Sequence, residues 1–208
     1  MPASRPYRGV DADARRAERR LRFLEAGLDL LGHTDPDELT VRAICAESGL
    51  TARYFYENFT DKDALVEAVF DNVTAQLATT TQAAVAAAPP EEQNRAGISN
   101  IIGMIAADPR IGRLLFSTEV AGATLVRKRA EQGELFTALS GQHIQAALKV
   151  GGNDRIQGTA SFVVGGVRQT ITAWLAGDLT IGTDDLVDLL VGILDVFNEP
   201  RLFSKLIG

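Results

Sequence analysis

A single cysteine, two histidines and one tryptophan in 208 residues close off several classes of protein at once. One cysteine makes no intramolecular disulfide, which excludes a small secreted scaffold held by cross-links. His33 and His143 are far apart in the chain, and no HxxxH or CxxC spacing occurs, so neither a metal site nor a cofactor is expected. No apolar run reaches the roughly 18 residues of a membrane span, and no membrane partner is expected. The start, MPASRPYRGVDADARRAERR, lacks the apolar centre of a secretory signal; with the lone cysteine this points to the reducing cytoplasm. A nucleophile elbow, a phosphate loop and a dinucleotide fingerprint are all missing. Acid pairs such as Asp184 and Asp185 head a helix, where carboxylates favour the N-terminus. No catalytic constellation emerges, and the chain is not expected to be an enzyme.

Strand alternation is almost absent, and what remains is helical spacing in a chain that is 46% hydrophobic. Leu21, Leu24, Leu28 and Leu31 predict an amphipathic helix from about 13 to 33, ended by GHTDPDE. Thr40 is a good N-cap for a second helix to about Glu47, and a third runs from Thr51 to about Asn58. A fourth opens at Thr60 or Asp61, with Leu65, Val69, Val73 and Leu77 on one face, until AAAPPEEQN interrupts it. Further helices are predicted near 92–107, 109–119, 122–149, 155–177 and 184–205. The fold class is therefore all-α, about nine helices.

The net charge of −6 taken alone disfavours nucleic acid, but the charge is unevenly spread. Arg5, Arg8, Arg15, Arg16, Arg19, Arg20 and Arg22 crowd the first 22 residues against only Asp11, Asp13 and Glu18. This basic arm precedes LTVRAICAESGLTARYFYENFTDKDAL, residues 39–65. Two helices of about two turns joined at Gly49 match a helix-turn-helix, because glycine permits the positive φ of a tight turn. Ile44, Leu50, Phe55 and Phe59 are its candidate core. Successive helical residues diverge by about 100°, so Tyr54 and Tyr56 flank an inward Phe55 and face outward. Cys45, inside this motif and without a partner cysteine, is read as a small buried hydrophobe.

LTVRAICAESGLTARYFYENFTDKDALVEAVF resembles the DNA-binding signature of the TetR family of transcriptional regulators. Residues 15–70 carry the likeness; Cys45 and Ser48 stand where alanine is usual. The resemblance implies an all-helical homodimer, with an N-terminal three-helix DNA reader and a C-terminal regulatory and dimerisation domain. We place the boundary at 1–60 and 61–208. It further implies that Thr40, Arg42 and Thr51 meet phosphates, that Arg53 reads guanine with Tyr54 adding an edge contact, and that Tyr56 and Lys62 are phosphate clamps. Arg15, Arg16, Arg19 and Arg20 are expected to run the arm along the duplex or into a minor groove.

In the C-terminal part, the helices near 161–175 and 186–197 are apolar on more than one face, so each needs cover on two sides. Small residues there, Gly158, Gly165, Gly166, Ala173 and Gly177, allow close helix approach. We expect a four-helix dimer interface that includes Phe162, Gly166, Gln169, Ala173, Leu190 and Ile193. Met104, Leu115, Phe116, Phe136, Val167 and Trp174 are candidate walls of a ligand pocket, with Arg168, Gln169, Thr170 and His143 as its polar contacts. The function expected is a repressor bound to a near-palindromic double-stranded operator and released by a small apolar or amphipathic effector. The alternative is a helical small-molecule-binding protein or enzyme with an N-terminal interaction module.

Overall fold

The computed structural model describes residues 7–33, 36–117, 122–149 and 151–197. The expected helix termini at 118–119 and 198–205 lie outside them, as do Arg5 and the side chains of Arg8 and Phe197. The described residues form nine α-helices and no strand: α1 (Tyr7–Leu31), α2 (Val41–Ser48), α3 (Ala52–Tyr56), α4 (Lys62–Ala87), α5 (Gln93–Ala107), α6 (Pro109–Phe116), α7 (Ala123–Leu148), α8 (Asp154–Leu175) and α9 (Thr183–Phe197).

Local chemistry sets most boundaries. Thr40 Oγ1 accepts from the Ala43 amide, Asp61 Oδ1 from Ala64, Asp108 Oδ1 from Arg110, and Asn153 Oδ1 from Arg155 and Ile156, each filling amides that the first helical turn leaves unpaired. Pro109 occupies the first position of α6, where its missing N–H costs nothing.

Helices α1–α3 close around Phe23, Ile44, Phe55 and Phe59, all but fully buried. The stripe on α1 differs from the expected one by one residue. Leu21 is 62% exposed, and Phe23 instead joins Leu24, Leu28 and Leu31 inside. Helix α4 packs on α1, α5, α6 and α7. It therefore buries a second row, Val66 and Phe70, beside the expected Leu65, Val69, Val73 and Leu77. Gly27 lets α1 and α4 approach closely, since a Cβ there would lie 2.8 Å from Val69 Cγ2. Helices α7 and α8 pack on each other, and α9 lies against α5 with a smaller contact to α8.

Helix α6 also touches α1, and Arg110 joins them. Its guanidinium holds Asp108 on its own helix at 2.6 and 2.8 Å, and Glu25 (2.9 Å) and Asp29 on α1. The Arg110 bonds hold the Asp108 carboxyl below its ordinary range. The same carboxylates push the Arg110 pKa upward.

Candidate nucleic-acid interface and ligand cavity

The α2–α3 turn is built by its sequence. Gly49 ends α2 at φ 64° and ψ 24°, a left-handed conformation open to glycine, while the Leu50 amide returns to Cys45 O at 3.2 Å. Arg22 Nη2 donates to Ser48 O at 2.6 Å and would lie 3.1 Å from a Cβ at position 49. Ser48 and Cys45 tolerate their sites: Ser48 Oγ donates to Cys45 O, and Cys45 is half-buried against the core, burial pushing its thiol pKa up.

Phe55 anchors α3, with its ring edge-on to Phe23 at 5.6 Å and tilted against Phe59 at 5.5 Å. Arg53 lies about 200° around the helix from Phe55 and so faces outward. Its side chain is 85% exposed, in an i,i+4 pair with Glu57 at 3.2 Å. Tyr56, one turn from Arg53, is 61% exposed. Thr40, Arg42 and Thr51 are exposed too, and the Thr51 hydroxyl makes no capping bond. Five polar side chains from the second and third helices and their caps thus face solvent over an aromatic anchor.

The other expected contacts are placed differently. Tyr54 is half-buried beneath the Arg19 guanidinium, 4.4 Å from its ring centroid, so the outward tyrosine of the pair is Tyr56. The arginine run is no loose arm: residues 7–31 form one helix, and several of its arginines serve the end of α3. Arg16 donates to Glu57 O at 2.6 Å, Arg20 to Asn58 O at 3.3 Å while lying over Phe59, and Arg19 faces the Glu57 carboxylate at 3.8 Å. Carbonyls at a helix C-terminus carry partial negative charge and lack partners, which draws cations there. Arg15 is exposed and also engaged. Lys62 folds back, donating from Nζ to Pro36 O at 3.1 Å and Asp37 O at 3.0 Å. It ties the α1–α2 connection to the start of α4, leaving one of its three N–H donors for anything else.

Two adjoining cavities lie in the C-terminal part. One, of about 420 Å³, opens among Thr81, Val85, Asn94, Leu139 and His143; burial lowers the His143 pKa. The other, of about 130 Å³, lies among Leu77, Phe116, Gln132, Val167, Arg168 and Ile171. Ile98, Ile101, Phe136, Ser140, Val163 and Leu194 wall both. Of the expected lining residues, Phe116, Phe136, Val167, Arg168 and His143 are there. Met104, Thr170 and Trp174 are not. Met104 sulfur takes hydrogen bonds from Thr80 and Asn100, Thr170 Oγ1 bonds back to Gly166 O, and the Trp174 indole donates to Ile181 O. Leu115 is wholly core and Gln169 exposed. Gln132, Ser140, Ile98 and Ile101 were missed; Gln132 was legible as a polar residue in phase with Leu125 and Phe136 on α7.

On α8, Gly158, Phe162, Gly165, Gly166 and Gln169 are exposed, and on α9 Leu189, Gly192, Ile193 and Val196 are exposed. Leu190, expected at a subunit interface, is 2% exposed in the core of its own chain, where α9 meets α5. Ala173 is half-buried, and Gly177, at φ 81°, belongs to the turn that ends α8. Among the described residues, no helix is long and apolar enough to cross a membrane, and no three His, Cys, Asp or Glu side chains group to hold a metal.

Residues 23–69 match the family model described as bacterial regulatory proteins, tetR family. No curated protein matches the chain. Among solved structures, the fatty acid degradation regulator FadR from Bacillus halodurans is similar at 15% identity, covering 85% of this chain and 94% of that one, with a TM-score of 0.73. FadR from Bacillus subtilis, solved with stearoyl-CoA, is 15% identical over 84% of this chain and 96% of its own, TM-score 0.67. AibR, solved with isovaleryl coenzyme A and operator DNA, is 16% identical over 84% and 97%, TM-score 0.61. At such identities the likeness is one of fold.

Proposed function

We propose that the chain, whose residues 23–69 match the tetR family model, is a sequence-specific transcriptional repressor of that family that binds a near-palindromic operator as a homodimer and releases it when a small amphipathic molecule fills the cavity. The observation that carries this reading is the outward set Thr40, Arg42, Thr51, Arg53 and Tyr56, on two helices locked by Gly49 and Phe55. Arg53 is our candidate for base reading, once its guanidinium exchanges Glu57 for a guanine edge. Thr40, Arg42, Thr51 and Tyr56 serve the phosphates, with a lesser contribution from Lys62 and Arg15. Arg16 and Arg19 act indirectly, by fixing α3.

Dimerisation is supported by the exposed stripes of α8 and α9. A Cβ at Gly158, Gly165, Gly166 or Gly192 would meet nothing within 4 Å, which suits close approach of a partner helix. Regulation runs through α4 and α6. The cavity borders α4 at Leu77 and α6 at Phe116, and α6 holds α1 through Arg110. A ligand that binds more tightly when these helices shift favours the shifted state by that difference, typically about 1–3 kcal/mol.

A gel-shift assay on the DNA flanking the protein's own gene tests the reading. Complexes that survive excess nonspecific competitor are expected. Their absence there and on random duplexes alike, with turnover of a small molecule by the pure protein, would instead favour a helical enzyme.

A further inference from the structure

Resting on the effector reading above, we propose that the cavity selects a free carboxylate on a hydrocarbon body, with Arg168 and Gln132 receiving the carboxylate and Phe136, Ile98, Ile101 and Leu194 enclosing the chain. Gln132 is 5% exposed, lines the smaller cavity, and its Nε2 has no hydrogen-bond partner. A buried amide left unmatched is costly, so a site that keeps one gains when a ligand oxygen meets it. Arg168 lines the same cavity, and among the described residues no Asp or Glu lines either cavity.

The neighbouring charges point the same way. Arg129 is 6% exposed and donates to Leu114 O at 2.9 and 3.2 Å, at the end of α6. Its pKa is pushed down to about 10, by burial first and by the Arg168 charge second. The Arg168 charge thus reaches the buried Arg129 behind the smaller cavity, and Arg168 itself brings positive charge to the Phe116 end of an apolar space. At the other end, burial lowers the His143 pKa, and the remaining polar lining there, Thr81, Gln82, Gln93, Asn94 and Gln142, is uncharged. The electrostatic preference is thus for an anion at the Phe116 end. That end is also where α6 passes to Arg110 and α1, so the carboxylate would sit on the path between cavity and reader.

Calorimetry with octanoate, octan-1-ol and octanoyl-coenzyme A tests the assignment on the full chain. The three share a chain and differ at the head. Octanoate is expected to bind about tenfold or more tightly than octan-1-ol, since hydrogen bonds to charged groups are the stronger ones. Arg168→Lys should keep that preference. Arg168→Met should reduce it to about threefold or less, and Gln132→Leu should reduce it in part. Equal affinity of acid and alcohol for the parent protein overturns the proposal whatever the variants do, as does octanoyl-coenzyme A binding in preference to octanoate. Operator binding by the ligand-free parent protein is measured separately, so a cavity with the wrong head-group preference is distinguished from a protein that is no regulator.

Discussion

Replacing Arg110 by methionine keeps the apolar stem and removes the guanidinium that joins α6 to α1. Three carboxylates then lose their partner. Glu25 and Asp29 are 63% and 42% exposed, so each pair contributes only the roughly 0.2–1 kcal/mol of a solvent-facing ion pair. The Asp108 pair is different: both side chains are about three-quarters covered and meet through two hydrogen bonds, a charged interaction worth about 1.5–3 kcal/mol. Arg110→Met should therefore cost about 2–5 kcal/mol near neutral pH, read as a lower urea midpoint at unchanged slope. The pH dependence has a definite sign. Because Arg110 holds the Asp108 pKa down, the stabilisation is complete above the unfolded carboxyl value of about 3.9 and is lost as pH falls through the lower folded value. The gap between parent and variant should be level around neutrality and narrow below about pH 4. A variant as stable as the parent, or a gap that persists undiminished into acid, would refute this account of the junction.

Other substitutions separate roles that the sequence merges. Gly49→Ala should cost about 1–2 kcal/mol for a left-handed residue with a side chain, plus displacement of Arg22, and thermal unfolding should register it; an unchanged midpoint would mean that the turn relaxes freely. Lys62→Met should lower the urea midpoint and weaken binding to all duplexes alike, whereas a phosphate clamp with no structural part would leave the midpoint alone. Gly166→Trp places bulk on the open face of α8. Sedimentation should report loss of the dimer, and a folded dimer would move the interface elsewhere.

The elements legible in the sequence were those fixed by neighbours along the chain. Thr40, Asp61, Gly49 and the aromatic spacing around Phe55 act within a few residues, so caps, turn and anchor could be read directly. Tertiary partners could not. A lysine at a helix start looks the same whether its ammonium meets phosphate or the Pro36 and Asp37 carbonyls, and the α1 arginines look like a DNA arm until α3 is folded beneath them. Helix α9 is apolar on more than one face, and only packing decides that Leu190 faces inward while Leu189, Ile193 and Val196 face out. The cavity was the least legible. Its walls come from helices distant in sequence, so Met104 and Trp174 could be taken for lining while Ile98 and Ile101 on α5 could not be singled out.

Selection from a random pool of duplexes tests the central claim most directly, with the parent protein and the Arg53→Ala variant run in parallel. The account predicts that the parent enriches a near-palindromic motif of two half-sites, their centres about one helical turn apart or more. The variant should enrich the same motif with preference relaxed at one position in each half-site, a discrimination of about 1–3 kcal/mol lost there. No enriched motif for the parent, or one identical in strength and sequence for the variant, would contradict it.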